Sequence, residues 1–203
     1  MLSRLDNIIF PDRCDVLEIV PSQRYVYPIF KNGSSSLIHY PIVSSEKLKD
    51  IEVIDVYVRD PYERFLSGVQ TFLAHLNPAY DRKTALLFIS EYLFINRHFC
   101  PQFHWLLNLR RHTDARIRIN HLSSLSDITT LHENKQAIDL SLDAVFKSNA
   151  KLHFYLSVDK VLTELLIGQT VEFSDIVKLI KIRHPDVYIE LIQRSKDLCN
   201  VLD

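Results

Sequence analysis

The sequence lacks the features that mark several large classes of protein. Its three cysteines, Cys14, Cys100 and Cys199, are widely spaced and form neither a disulfide framework nor a CxxC metal pattern. The formal net charge of −1 argues against a general polyanion-binding surface. No stretch approaches the roughly 20 apolar residues that span a bilayer, and the N-terminus has no apolar signal-peptide core. We therefore expect a cytoplasmic protein with free thiols that binds no nucleic acid.

Glycine is scarce too, which draws attention to the place of one of the three glycines. Within 27–37, an apolar strand pattern leads into Lys31, Asn32 and Gly33, and then into the serines Ser34–Ser36. Glycine permits a positive φ, and serines cap helices whose first N–H groups have no partner. Such a loop, with a lysine beside it, predicts a cradle for an anion. An ordinary strand-to-helix turn with a serine cap is the alternative.

A second segment supplies further charge. The β-branched run Val53–Val58 is typical of a buried strand, and Asp60 followed by proline is typical of a helix start. Arg59 then lies at the carboxyl end of a strand, where α/β sheets bind ligands, and Ser67 lies in the following helix. A guanidinium with a nearby hydroxyl suits a terminal phosphate. The alternatives are a surface ion pair of Arg59 with Asp60 or Glu63, and a solvated Ser67.

Together the two segments resemble the PAPS-dependent sulfotransferase superfamily, whose donor is 3′-phosphoadenosine 5′-phosphosulfate (PAPS). Residues 31–36 are similar to its loop for the 5′-phosphosulfate, and residues 59–68 to its 3′-phosphate-binding strand and helix. Residues 97–105 are similar to the His-x-x-Pro-Gln element of the carbohydrate sulfotransferase (sulfotransferase family 2-like) branch. The resemblance covers roughly 22–166. One departure is His121, which stands where that branch has a glutamate.

The resemblance implies an α/β, P-loop-like three-layer fold with a small central parallel sheet flanked by helices. We expect one domain over 1–203, with its core at about 22–166 and a helical C-terminal extension over 167–203. Local patterns predict the following strands: Arg24–Phe30, Ile51–Val58 and Arg116–Asn120. They predict the following helices: Ser34–Tyr40, Pro61–Leu76, Thr84–Asn96, Asp127–Asn134, Leu156–Ile167, Ser174–Arg183 and Asp186–Asn200, with Ser174 as an N-cap.

The resemblance also implies a function, the transfer of a sulfuryl group from PAPS to a hydroxyl acceptor, a carbohydrate or glycoconjugate, with no metal required. Lys31 would stabilise the bridging oxygen of the departing phosphate, and Ser35 or Ser36 would bind the phosphosulfate. Arg59 and Ser67 would hold the 3′-phosphate. The cofactor contacts implied in this way are Lys31, Asn32, Gly33, Ser34, Ser35, Ser36, Arg59 and Ser67.

The general base stays open at this point. The acceptor hydroxyl must lose a proton as it attacks, and histidine or glutamate usually takes it. His98 is the first candidate, because it occupies the histidine of the His-x-x-Pro-Gln element. His39, one turn beyond the loop, is the second, and His104 and Glu46 follow. Alternatively, His98 orders the 101–102 loop or binds the acceptor without moving a proton.

Two other functions compete with this one. The first is a catalytically inactive module that keeps the cradle and uses PAPS or another nucleotide only for binding. The second, less favoured, is a P-loop kinase, because Lys31 precedes the glycine instead of following a Gly-x-x-x-x-Gly loop. A prokaryotic or viral cytoplasmic enzyme without a transmembrane segment is expected, and the sequence leaves monomer and dimer open.

Overall fold

A five-stranded mixed sheet lies at the centre of the fold in the computed structural model, which describes residues 14–74, 82–91, 98–130, 140–190 and 193. The strands lie side by side in chain order, β1 to β5. Their bounds are β1 Leu17–Ile19, β2 Arg24–Tyr27, β3 Val53–Val58, β4 Arg116–His121 and β5 Thr170–Val171. The central strands β2, β3 and β4 are mutually parallel, whereas β1 and β5 pair antiparallel at the edges. The three predicted strands are therefore present. The sheet was predicted to be parallel, whereas the structure has a mixed sheet with antiparallel strands at both edges.

The helices in the described part of the chain surround this sheet. Their bounds are α1 Ser45–Leu48, α2 Pro61–Ala74, α3 Arg82–Glu91, α4 Gln102–Arg110, α5 Leu140–Phe146, α6 Ala150–Lys160 and α7 Phe173–Arg183. The predicted start of α2 is confirmed, because the Asp60 carboxylate accepts the Glu63 N–H at 2.8 Å as an N-cap does. No helix among the described residues is long and apolar enough to cross a bilayer.

Several predicted helix bounds differ from the structure. The helix expected over Ser34–Tyr40 is a single 3-10 turn, Ser34–Ser36, because the turns after it do not continue the hydrogen-bond ladder. A second 3-10 segment, Leu122–Asp127, precedes the place where a helix was predicted to begin, and residues 131–134 lie outside the described part. Ser174 is not the N-cap of α7, since that helix begins after Glu172.

Both bounds of one further helix were wrong, and three other predicted helices are only partly covered by the described residues. Helix α6 begins at Ala150, because the Asn149 side chain accepts the Leu152 N–H there, and it ends in a π-helical turn. The chain is helical again over 185–190. Residues 75–76, 92–96 and most of 191–200, which were also predicted to be helical, lie outside the described residues.

The two faces of the sheet differ in chemistry because side chains alternate along each strand. On β3, Ile54, Val56 and Val58 join the main core, to which α2, α4, α6 and α7 contribute. On the opposite face, Tyr57 joins a smaller cluster completed by the two 3-10 segments, and Asp55 is buried beside it. The site described below lies at the carboxyl ends of the parallel strands, between these two layers.

Candidate functional site

Lys31 and Arg59 follow the carboxyl ends of two adjacent parallel strands. β2 ends at Tyr27 and pairs in parallel with β3, which ends at Val58. The segments that follow these two strands therefore leave the sheet on the same side, at the carboxyl ends of the strands. The pKa of Lys31 is lowered, first by burial of the amine and then by the positive charges of Arg59 and Arg64. The predicted lysine and arginine therefore lie close enough for the charge of Arg59 to lower the pKa of Lys31.

The loop that carries Lys31 has an unusual backbone. Lys31 itself has φ 69° and Gly33 has φ 74°, both in the left-handed region. This conformation costs a non-glycine residue on the order of 1–3 kcal/mol. Among the described non-glycine residues it is shared only with Gln23, which ends a 3-10 turn. A Cβ at position 33 would lie 2.5 Å from Leu125 Cδ2, so the Leu125 side chain would have to shift to make room for it. The 3-10 segment after β4 therefore packs directly on this loop.

The main-chain donors of the loop are fewer than the sequence predicted. The Asn32 N–H donates to the Ile29 carbonyl at 3.0 Å, and the Ser36 N–H donates to the Gly33 carbonyl at 2.9 Å. Within the described part of the chain, the N–H groups of Gly33, Ser34 and Ser35 donate no hydrogen bond. The main-chain donors expected over residues 32–36 are therefore reduced to three consecutive N–H groups that are available to bind an anion.

The side chains of the loop also divide into two groups. Ser35 is exposed and Ser34 is half-buried, whereas Ser36 is only 2% exposed and accepts the Thr129 hydroxyl at its carbonyl. Asn32, likewise 2% exposed, faces inward. A single 3-10 turn has a much smaller dipole than the predicted helix, so any anion here would be held by the cations and amides of the site.

Arg59 makes the ion pair that the alternative interpretation of the sequence named. Its Nη2 lies 3.1 Å from Glu63 Oε2, one turn along α2, and the two side chains are 23% and 58% exposed. Exposed pairs of this kind contribute little and exchange readily. The pair therefore leaves Arg59 available to a stronger anion. Ser67 lies further along α2 and is half-buried.

Gln102 connects the two loops, a role that the sequence did not reveal. Its Oε1 accepts the Asn32 side-chain amide at 2.6 Å and the Arg59 N–H at 3.2 Å. Its Nε2 donates to the Arg59 carbonyl at 3.0 Å, and Asn32 also donates to the Tyr57 carbonyl at 2.8 Å. The relative position of the Lys31 loop and Arg59 is thus fixed by one buried amide.

Arg64 and Asp159 are buried residues that hydrogen-bond to the segments on either side of this connection. Arg64 is 1% exposed, and its guanidinium donates to the carbonyls of Phe30 and Cys100. Asp159, fully buried, accepts the N–H groups of Gln102 and Phe103. Arg64 lies in the 59–68 segment and Gln102 in the Pro-Gln element, both of which stand out in the sequence. The roles of these two residues could not be predicted from the sequence.

The candidate bases lie in different surroundings. His98 is half-buried, and its ring lies edge-on to that of Phe30, the residue before Lys31, at 4.9 Å between centroids. His39 is exposed, and its ring lies tilted against that of Tyr40 at 4.2 Å between centroids. His104 is 4% exposed, and burial followed by the Arg64 charge lowers its pKa to about 4, which makes it a weak base.

The remaining candidate base, Glu46, is at the surface, and so is His121, which was not a candidate base. Glu46 is exposed on α1. His121 ends β4 beside Val58, where its Nδ1 accepts the Ser123 N–H at 3.2 Å. His121 therefore begins the 3-10 segment as an N-cap, which gives this departure from the family pattern a structural role.

No protein-family model, no curated protein and no solved structure matches this chain. The function of the site is accordingly argued from its own groups.

Proposed function

We propose that this protein is a sulfotransferase that transfers a sulfuryl group from PAPS to a hydroxyl acceptor, a carbohydrate or glycoconjugate. The observation that carries the proposal is the convergence of Lys31 and Arg59 at one edge of the parallel strands, with unpaired loop amides beside them. Two cations and three amides suit a ligand with two separate anionic groups. A P-loop-like arrangement is part of the proposal, because the glycine loop directly follows a central parallel strand.

The residues present fit such a nucleotide. The amides of Gly33, Ser34 and Ser35 and the Lys31 amine would hold its 5′ end, and Arg59 with Ser67 would hold its 3′-phosphate. Gly33 adopts the positive φ that lets the loop turn between Lys31 and the serines. PAPS, when bound, supplies an activated sulfuryl group with a good phosphate leaving group.

Catalysis by this chain would then come from position and charge, as in phosphoryl transfer. Lys31 provides positive charge where negative charge develops on the leaving oxygen. His98, whose ring contacts Phe30 next to Lys31, is the best-placed base to take the acceptor proton, and His39 is the second candidate. Gln102 holds the two cation-bearing segments at a fixed separation, so no reorganisation is needed during the reaction.

The compartment belongs to the same proposal. Cys14 and Cys100 are free thiols, and burial raises the pKa of Cys100 to about 11. Free thiols are the usual state in a reducing compartment, which supports a cytoplasmic location.

The deciding experiment is calorimetry with 3′-phosphoadenosine 5′-phosphate (PAP), the product nucleotide, in the presence of EDTA. Binding of PAP without Mg²⁺ supports the proposal, whereas Mg²⁺-dependent binding of ATP alone would favour a kinase. An assay of PAP release from PAPS over a panel of sugars then separates the enzyme from an inactive nucleotide-binding module. Binding without release for every sugar would favour the module.

A further inference from the structure

Helix α4 begins without a capping side chain of its own. Pro101 occupies the N-cap position and makes no side-chain hydrogen bond there. The cap comes instead from α6, where Asp159 Oδ2 accepts the Gln102 N–H at 2.6 Å and Oδ1 accepts the Phe103 N–H at 2.9 Å. Both oxygens of one buried carboxylate are therefore committed to the first turn of α4.

The same first turn carries the amide that spans the candidate site. Gln102 contacts the main chain of Arg59 at both its N–H and its carbonyl, and it accepts the Asn32 side chain. A continuous chain of hydrogen bonds thus runs from Asp159 through Gln102 to both cation-bearing segments. A shift of the α4 terminus would move Gln102, and with it the distance between Lys31 and Arg59.

We propose that Asp159 is a positioning residue of the anion site, acting through Gln102 to set the separation of the Lys31 loop from Arg59. The identity of the bound nucleotide rests on the proposed function, whereas the coupling between Asp159 and the two loops does not. A buried carboxylate is costly unless it is fully hydrogen-bonded, so its presence here is best explained by the two N–H groups it holds.

Asp159→Asn tests this directly. The amide keeps the size of the carboxylate, but one of its two ends is a donor facing an N–H donor, so one of the two capping bonds is lost. We expect PAP affinity, measured by calorimetry, to fall about tenfold, the equivalent of one net hydrogen bond. Val158→Ala is the matched control, because Val158 is the buried neighbour of Asp159 on α6 and takes no part in the hydrogen-bond chain.

A second readout needs no ligand. Hydrogen exchange by NMR at the Arg59 N–H and the Asn32 side-chain amide should accelerate in Asp159→Asn and stay near wild-type in Val158→Ala at matched thermal midpoints. Unchanged exchange at both positions would overturn the proposal. If wild-type protein fails to bind PAP, the proposed nucleotide is wrong, and the exchange measurement alone still decides the role of Asp159.

A double variant separates positioning from general damage. If Asp159 acts through Gln102, Asp159→Asn should cost no further PAP affinity once Gln102→Ala is present. Additive losses would contradict the proposal.

Should Asp159→Asn fail to fold, wild-type protein can be titrated instead, since burial raises the pKa of Asp159 to about 6. The charged and titratable groups that act on it are Arg64 from α2 and the Cys100 thiol, whose pKa is about 11. The protection of the Arg59 N–H, which is the intrinsic exchange rate of an unstructured amide at the same pH divided by the observed rate, should decrease as pH falls through about 6. Protection that stays constant across this range would refute the role.

Discussion

Lys31 is a half-buried amine near two guanidinium groups, and its charge is correspondingly costly. Because its folded pKa lies below the ordinary 10.5, the amine loses its proton at a lower pH than a surface lysine does. A bound anion needs that proton. The affinity for an anion should therefore decline on the alkaline side before other lysines titrate.

We predict that PAP affinity falls as pH rises from 7 toward 10, and that Lys31→Arg, which stays charged over this range, removes most of that fall. Calorimetry at several pH values measures both curves. Lys31→Ala should lower kcat by about 10²–10³-fold, as loss of a transition-state donor does, with a smaller effect on PAP affinity. Parallel pH curves for wild-type and Lys31→Arg would contradict the assignment.

Arg59 is shared between Glu63 and any ligand. We predict that Glu63→Gln increases PAP affinity by about 1.5- to 5-fold, because an exposed ion pair of about 0.2–1 kcal/mol no longer competes for the guanidinium. Arg59→Ala should weaken PAP binding and abolish the gain from Glu63→Gln. Equilibrium binding of the two single variants and the double variant measures this, and a gain that persists without Arg59 would disprove the competition.

At the scale of elements, α2 depends on a glycine for its close contact with the backbone of residues 98–99. A Cβ on Gly68 would lie 1.9 Å from the His98 carbonyl oxygen, so the helix and this backbone must separate if the side chain grows. His98 contacts Phe30, and that contact would move with it. The helix thereby sets where the first candidate base lies.

We predict that Gly68→Ala lowers the free energy of unfolding by about 1–3 kcal/mol or more, the cost of overpacking against backbone. Gly168→Ala is the control, since Gly168 has φ +81° and open space around it, so only backbone strain of about 1–2 kcal/mol applies there. Urea unfolding gives both values. A Gly68→Ala loss smaller than that of Gly168→Ala would show that the segment relaxes freely.

Two elements with strong local signals were predicted correctly. The β-branched run of β3 and the Asp60 cap of α2 are local signals, and the structure confirms both. The edge strands β1 and β5 have three and two residues, too few to show a period in the sequence. Their pairing depends on the sheet that is already present.

The connections within the site could not be predicted in the same way. Gln102 and Asp159 are 57 residues apart, and only folding brings their atoms together. The sequence contained both signals, a glutamine in a Pro-Gln pair and an acid within an apolar helix, without indicating that they meet. The loop was expected to open a longer helix, because three serines signal a cap equally for one turn or several.

At the scale of the whole molecule, Asp159 couples stability to pH with an unusual sign. Its folded pKa of about 6 exceeds the ordinary aspartate pKa of 3.8, so the folded state holds this proton more tightly than the unfolded state. The contribution is therefore present at acid pH and is lost as pH rises through about 6. Arg64 and the two capping N–H groups oppose the shift without cancelling it.

We predict that the stability of wild-type protein relative to Asp159→Asn decreases by about 1–3 kcal/mol between pH 4 and pH 7. Urea unfolding of both proteins across this range measures the difference. An increase over the same interval would mean that the folded protein stabilises the ionised form of Asp159.

The two outer strands of the sheet have a consequence for assembly. The described strand β1 spans three residues and meets Ile42 at a single bridge, and β5 spans two. Edge strands this short expose few unpaired main-chain N–H and C=O groups to which another chain could hydrogen-bond. This protects the protein against edge-to-edge aggregation. If two copies of this protein associate through the described residues, we expect side chains outside the sheet, rather than a shared ribbon of strands, to form the contact.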